Sequence, residues 1–191
     1  MTQQGPNPIE LYEGAVQQML PALAGVRADQ LSASTPCTEW TVQNLIIHNI
    51  KGADFVHGVI QGNNTTNPME VGDHLPSQGA RDAFAAGTTR VLDLLKSNSD
   101  WNQIIETPFG PMRIADFMMF PTMDIVIHKW DLAKGTGQDT SLDSGLLETC
   151  LGCVQMGAED GRQAGIFGPE VSVPLSASIQ DKLLALSGRQ P

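Results

Sequence analysis

The chain has 191 residues, of which 41% are hydrophobic and 17% charged. This composition is typical of a globular protein with a packed core and excludes a wholly disordered chain. The formal net charge is −10 at pH 7 and the pI is about 4.6. No run of Lys or Arg supplies a positive footprint, so we expect neither nucleic acid nor an anionic membrane surface as a partner.

Three further features place the chain in a broad class. The first ten residues lack the basic and apolar regions of a secretory signal, and the apolar run Phe117 to Ile127 is too short to cross a bilayer. Three cysteines fit reduced thiols better than a disulfide framework. We therefore expect a single cytoplasmic domain over residues 1–191, a monomer or homodimer with a small-molecule substrate.

Apolar residues recur at steps of three and four along most of the chain, which predicts helices. The first four predicted helices run from near Pro8 with a kink or an end at Pro21, from Val42 to about Ile60, from roughly Gln78 to Lys96, and from about Ile114 to Lys134 with a kink or restart at Pro121. A fifth helix, capped by Asp143 or Ser144, reaches about Ala158, and a last short helix runs from Ser176 to Leu186. No alternating strand pattern competes, and residues 101–111 are expected to be an irregular or weakly extended connection. The expected fold is all-α, an up-and-down four-helix bundle with additional C-terminal helices.

The fourth predicted helix is apolar almost all round from Ile114 to Leu132, without an evident solvent-facing side, which indicates a buried helix. Asp124 and His128 are four residues apart, so their side chains share one face. A buried carboxylate needs a partner, because leaving it unpaired costs several kcal/mol or makes it neutral. Two interpretations remain open: a structural Asp124–His128 hydrogen bond, or a divalent metal bound by both residues and by a ligand from another helix.

His48 and His57 on the second helix are the candidates for a further ligand. They lie nine residues apart and hence on opposite sides of the helix, so only one can face the metal. Periodicity does not choose between them. His74 follows in a loop and is expected at the surface.

Several segments resemble the DinB/YfiT-like metalloenzyme superfamily, in the actinobacterial branch that includes mycothiol-dependent maleylpyruvate isomerase. They are Thr35-Pro36-Cys37-Thr38-Glu39-Trp40-Thr41 followed by His48, then His128-Lys129-Trp130-Asp131-Leu132-Ala133 with Gly135-Thr136-Gly137-Gln138, and the ending Leu186-Ser187-Gly188-Arg189-Gln190-Pro191. In that family a bundle holds zinc or a similar divalent ion through a histidine on the second helix and an acidic residue and a histidine four apart on a later helix. The resemblance implies His48, Asp124 and His128 as metal ligands. The sequence departs from the isomerase in having Asp where the isomerase has Glu, and from its length we expect no additional C-terminal domain like that of the isomerase.

The resemblance also implies an activity. Three protein ligands leave one position of a tetrahedral site open, as in catalytic zinc sites. We expect zinc, or nickel as the alternative, with a low-molecular-weight thiol such as mycothiol at the open position, and a thiol S-transferase or isomerase acting on a small electrophile. The alternatives are a non-catalytic metal- or ligand-binding bundle and a metal-dependent hydrolase.

Four more residues could contribute chemistry or only packing. Asp131, close behind His128, is either an outer partner of the metal site or a solvent-facing residue. Cys37 near a helix start is either a reactive thiol or buried under Trp40. Cys150 and Cys153 are expected to be small packed hydrophobes rather than a redox pair.

Overall fold

The structure is a computed structural model that describes residues 7–98 and 100–191. The helices are α1 (Pro8–Ala24), α2 (Val42–Gln61), α3 (Ala80–Ser97), α4 (Ile114–Phe117), α5 (Met119–Thr136), α6 (Ser144–Gln163) and α7 (Ile179–Leu186), with a short 3-10 turn at Ala28–Gln30 and two antiparallel strands, β1 (Ile104–Thr107) and β2 (Gly110–Arg113). The predicted all-α class is confirmed, with one small hairpin added.

Four long helices form the bundle. Helix α1 packs on α3 and α5, and α2 packs on the same two helices. Helix α6 lies against α5 and α1, and α7 lies against α6. The core consists of the apolar faces of these helices, with Tyr12, Leu45, Phe84 and Phe117 among its fully buried large side chains. The contact between α2 and α5 matters most for the candidate site, because it brings His48 of α2 opposite Asp124 and His128 of α5.

The ends of α2 follow directly from its sequence. The hydroxyl of Thr41 accepts a hydrogen bond from the backbone N–H of Asn44, and the Asn44 side chain accepts one from the N–H of Thr41, which forms a reciprocal capping box. At the other end Gly62 adopts a left-handed conformation with φ of 72°, which glycine takes without steric cost. The predicted bounds of α2 are thus confirmed within one residue.

The helices are not interrupted at the two prolines where the sequence predicts an end or a restart. Helix α1 does not end at Pro21 but continues to Ala24. A proline in the last turn removes one backbone hydrogen bond, and the burial of Ala22 and Leu23 in the core offsets that loss. The fourth predicted helix is interrupted at Met118 rather than at Pro121. Pro21 and Pro121 are thus both accommodated within helices, Pro121 in the first turn of α5, where its missing N–H is harmless.

The segment predicted as an irregular connection contains the β1–β2 hairpin, in which Ile105 pairs with Met112. Each strand has four residues, and Ile105 is the one buried residue among them. Strands this short show no recognisable alternation of apolar and polar residues in the sequence. At the C-terminal end, α6 runs five residues beyond its predicted end at Ala158, and α7 starts at Ile179 rather than Ser176 because Ser178 caps it.

No helix in the described ranges, 7–98 and 100–191, is long and apolar enough to cross a membrane.

Candidate metal centre

Three side chains from two helices converge at the α2–α5 contact. The Nε2 atom of His48 lies 3.1 Å from Oδ2 of Asp124, and the Nε2 atom of His128 lies 3.3 Å from Oδ1 of the same carboxylate. One donor atom from each residue lies within 4.8 Å of the other two. The Asp124–His128 pair predicted from its spacing is therefore completed by His48.

The other nitrogen of each ring is held by a group outside this cluster. The Nδ1 atom of His48 lies 3.0 Å from the backbone carbonyl of Pro68, and the Nδ1 atom of His128 lies 2.9 Å from Oδ2 of Asp131. A carbonyl or a carboxylate only accepts hydrogen bonds, so each Nδ1 carries the proton and donates it. Both Nε2 atoms are consequently left with a lone pair in the neutral ring, and both point at Asp124.

This arrangement needs a positive charge at its centre. Two imidazole lone pairs and an ionised carboxylate are all acceptors, so their close approach is favourable only when a proton or a metal ion lies between them. Zinc bound by His and Asp at about 2.0–2.1 Å in a tetrahedron sets its ligand atoms about 3.3 Å apart. The His48–Asp124 and His128–Asp124 distances of 3.1 and 3.3 Å match that separation, and a shorter Asp in place of Glu still reaches both rings. The residues therefore fit a divalent metal ion.

Burial within the cluster is uneven. The side chains of His48 and His128 are each 7% exposed, whereas that of Asp124 is 37% exposed. Burial acts to raise the pKa of Asp124, but the neighbouring His128 and His48 rings outweigh it and hold that pKa below its usual range. Burial acts to lower the pKa of His128, but Asp124 and Asp131 outweigh it and hold that pKa above its usual range. The cluster thus opens to solvent on the carboxylate side.

Asp131, Arg189 and Cys37 form a second cluster, on the Nδ1 side of His128. Asp131 has a fully buried side chain, and Nη2 of Arg189 lies 2.9 Å from its Oδ2 while Nε lies 3.3 Å from its Oδ1. The Cys37 sulfur lies 3.3 Å from Oδ2 of Asp131 and 3.2 Å from Nη2 of Arg189. Of the two interpretations of Asp131 that the sequence left open, the structure selects the buried partner of His128. The arginine was missed, because it is 58 residues away along the chain.

The sequence matches one family model, the mycothiol maleylpyruvate isomerase N-terminal domain, over residues 12–133. That match covers more than half of the chain and includes His48, Asp124, His128 and Asp131. The chain belongs to this family.

Two curated proteins and two solved structures are similar to this family member. The uncharacterized proteins Rv0738 and MT0763, from two strains of Mycobacterium tuberculosis, are each 29% identical over 185 residues, covering 96% of this chain and 98% of the relative. A crystal structure of mycothiol-dependent maleylpyruvate isomerase is similar with a TM-score of 0.53 and 16% identity, covering 81% of this chain and 71% of the isomerase. A histidine-to-alanine mutant of that enzyme gives a TM-score of 0.54 at the same identity and coverage. The structural likeness establishes a shared fold.

The remaining candidates from the sequence lie elsewhere in this family member. His57 is half-buried on α2 and is absent from both candidate metal-binding groups found among the described residues, and His74 is exposed. Cys150 and Cys153 are buried on α6, and burial raises the pKa of Cys150 to about 12. That value leaves Cys150 in its thiol form at neutral pH, in agreement with a packing role.

Tyr12 of α1 places a polar atom, its hydroxyl oxygen, in the core. Its ring is fully buried, and its hydroxyl has no hydrogen-bond partner within residues 7–98 and 100–191. Burial raises the pKa of Tyr12, and the negative charge of Asp124 raises it further. A buried hydroxyl without a partner costs about 1–3 kcal/mol.

Proposed function

We propose that this protein is a divalent-metal-dependent thiol S-transferase or isomerase that acts on a small electrophile with a low-molecular-weight thiol such as mycothiol. The observation that carries the proposal is the convergence of two imidazole lone pairs and one carboxylate, with both outer nitrogens already committed. Membership in the mycothiol maleylpyruvate isomerase N-terminal domain family supports the thiol as co-substrate.

His48, Asp124 and His128 would hold the metal, with zinc as the expected ion and nickel as the alternative. A divalent ion held there supplies positive charge that favours the thiolate form of a neighbouring thiol, which is its nucleophilic form. Three protein ligands leave the solvent side of the cluster free, as the exposure of Asp124 indicates. The free side is where a small thiol and an electrophile would meet.

The chain itself orients and shields this reaction. The Pro68 carbonyl and the Asp131 carboxylate keep the two rings in one tautomer and one orientation. The Trp40 ring lies 4.5 Å from the His48 ring and 5.8 Å from the His128 ring, measured between centroids, and excludes water from that side.

Two outcomes of the reaction share one first step. In S-transfer, the thiolate sulfur bonds to an electrophilic carbon while the leaving group departs with its electron pair or, for a conjugated double bond, while the neighbouring carbon takes up a proton from solvent. In isomerisation, the thiolate adds to a double bond conjugated to a carbonyl and the π electron pair moves to the carbonyl oxygen. Rotation then occurs about the new single bond, and the thiolate leaves as the electron pair forms the double bond again. Both use the same residues, so the proposal covers both.

Cobalt substitution tests the proposal directly. Protein loaded with Co²⁺ is titrated with mycothiol, and with the corresponding S-methylated compound as the matched control. We expect a sulfur-to-cobalt charge-transfer band with mycothiol alone. A spectrum that mycothiol leaves unchanged would remove the thiol from the proposal and favour the metal-dependent hydrolase or the non-catalytic metal-binding bundle.

A further inference from the structure

The C-terminal segment carries a buried arginine whose position the family match does not cover, since the match ends at residue 133. Arg189 is 8% exposed, and its guanidinium contacts Asp131 through two nitrogens at 2.9 and 3.3 Å. Its third nitrogen, Nη1, donates to the carbonyl of Ser187 at 2.9 Å. All three guanidinium nitrogens of Arg189 therefore have hydrogen-bond partners inside the protein. A guanidinium is rigid and permanently charged, so it is well suited to a buried ion pair of this kind.

A specific turn directs this side chain inward. Gly188 has φ of +85°, a left-handed conformation, and a Cβ added to it would lie 2.7 Å from the Cα of Gly168. The backbone N–H of Arg189 donates to the carbonyl of Leu184 at 2.8 Å, which closes the turn after α7. The chain therefore reverses at Gly188, and this reversal places Arg189 beside Asp131.

The contacts form a continuous series that ends at the candidate metal centre. Arg189 fixes both oxygens of Asp131, and Oδ2 of Asp131 accepts the Nδ1 proton of His128. With Nδ1 committed, the opposite nitrogen of His128 faces Asp124 and His48. Groups that hold the outer nitrogen of a ligating histidine fix its tautomer and orientation, and their loss costs 10- to 100-fold in metal affinity.

A second metal ion is not expected in the cluster of Asp131, Arg189 and Cys37. Cys37, His128 and Asp131 would be a plausible ligand group by their separations alone. The guanidinium of Arg189, however, lies 3.2 Å from the Cys37 sulfur and 2.9 Å from Oδ2 of Asp131. The positive charge of Arg189 already neutralises the charge of Asp131, and it would repel a metal cation bound beside it.

We infer that Arg189 is a positioning residue, which acts through Asp131 to hold the ring of His128 with Nδ1 protonated and Nε2 presented to the metal. The inference rests on the proposed metal centre for its consequence on affinity. Its structural part, the fixed His128 ring, applies to the metal-free protein as well. The two parts can therefore fail separately.

The experiment compares Arg189→Met and Arg189→Lys with Arg162→Met. Arg162 donates to the carbonyl of Leu186 at 3.3 Å and contacts Glu159, so it also holds the C-terminal segment but does not contact Asp131. The first readout is the hydrogen-bonded Nδ1 proton of His128 in metal-free protein, a downfield NMR resonance identified by its loss in His128→Gln. The second is Co²⁺ affinity by competition with a chelator, together with the Co²⁺ absorption spectrum.

We expect Arg189→Met to lose or shift the Nδ1 resonance, to weaken Co²⁺ binding by about 10- to 100-fold, and to alter the Co²⁺ spectrum. Arg189→Lys keeps the charge without the fork and should lie between Arg189→Met and wild type, and it decides the question if Arg189→Met does not fold. Arg162→Met should match wild type in all three measurements. An unchanged resonance in the Arg189 variants would overturn the inference, and so would unchanged Co²⁺ affinity. Wild type that shows the resonance but binds no Co²⁺ would instead contradict the proposed function.

Discussion

The rings of His48 and His128 face each other across the α2–α5 contact with centroids 4.9 Å apart and planes at 76°. This edge-on arrangement does not result from direct hydrogen bonding between the rings, because each Nε2 points at a different oxygen of Asp124. The α2–α5 packing therefore sets the spacing of the two rings, and the Asp124 carboxylate occupies the space between their donor atoms.

The two histidines of α2 give the first prediction. His48→Ala removes one of three proposed ligands, whereas His57→Ala removes a histidine of the same helix that lies outside the cluster. We expect His48→Ala to lose bound metal and the increase in melting temperature that metal causes, because metal binding stabilises only the native state. Metal analysis and thermal unfolding with and without Zn²⁺ measure both effects.

His57→Ala serves as the matched control and should retain wild-type metal content. The reverse pattern, with metal lost in His57→Ala and kept in His48→Ala, would show that the ligand assignment is wrong.

The buried carboxylate behind His128 gives the second prediction. Asp131→Asn leaves the guanidinium of Arg189 buried without its counter-charge, and loss of one partner of a buried ion pair costs about 3–5 kcal/mol. We expect a decrease of about 3 kcal/mol in the unfolding free energy, with weaker metal binding as well. Asp116→Asn is the control, because Arg113 and Asp116 form a pair with side chains about half exposed, and such pairs contribute about 0–1 kcal/mol. Equal losses from the two variants in urea unfolding would contradict the role assigned to Asp131.

The pH dependence of the metal-free protein gives the third prediction. His128 has a pKa held above its usual range in the folded state, so its stabilising contribution is fully present below about pH 6.5 and is lost as pH rises through the folded pKa. Asp131 has a pKa held below its usual range, where burial alone would raise it but His128 and Arg189 outweigh burial. Its contribution is present above about pH 4 and is lost as pH falls through the folded pKa. The unfolding free energy should therefore be greatest between about pH 4 and 6.5 and should fall above that range.

Added metal should have the opposite pH dependence above about pH 6.5. Ligation requires neutral imidazole rings, so the stabilisation produced by added Zn²⁺ should increase as pH rises above about 6.5. Urea unfolding at several pH values, with and without Zn²⁺, measures both the unfolding free energy of the metal-free protein and its increase with Zn²⁺. A metal-free profile that rises above pH 6.5 would contradict the electrostatics assigned to His128.

The turn at Gly188 gives the fourth prediction. Gly188→Ala adds a Cβ at a left-handed φ and 2.7 Å from the Cα of Gly168, so it should destabilise the fold and disturb the Asp131–Arg189 contact. Gly152→Ala on α6 is the control, because a Cβ there meets nothing within 4 Å, and alanine favours a helix by about 0.5–1 kcal/mol. Thermal unfolding should show opposite changes in melting temperature for the two variants. A Gly188→Ala protein as stable as wild type would contradict the close approach to Gly168.

The bundle was predictable because the signals that define it are local. Periodicity, the Thr41 cap and the Gly62 stop determine α2 within a few residues of each end, and the spacing of Asp124 and His128 places them on one helical face. The hairpin escaped prediction because its four-residue strands bury so little, and the extension of α6 because its polar end carries no apolar stripe.

The rest of the site depends on contacts between distant parts of the chain. Periodicity could not choose between His48 and His57, since that choice depends on which side of α2 meets α5; resemblance to a family supplied it. Arg189 reaches Asp131 across 58 residues through a turn at Gly188. Its one signal in the sequence was an arginine in a segment that resembles the family, without any indication of its partner.

We propose that His48, Asp124 and His128 hold a divalent metal. Elemental analysis of protein with the sequence above, purified without a histidine tag and without added metal or chelator, tests this directly. We expect about one zinc or nickel ion per chain, reduced to a trace level in His128→Ala. Wild-type protein that contains no stoichiometric metal, and acquires none when dialysed against Zn²⁺ or Ni²⁺, would contradict it.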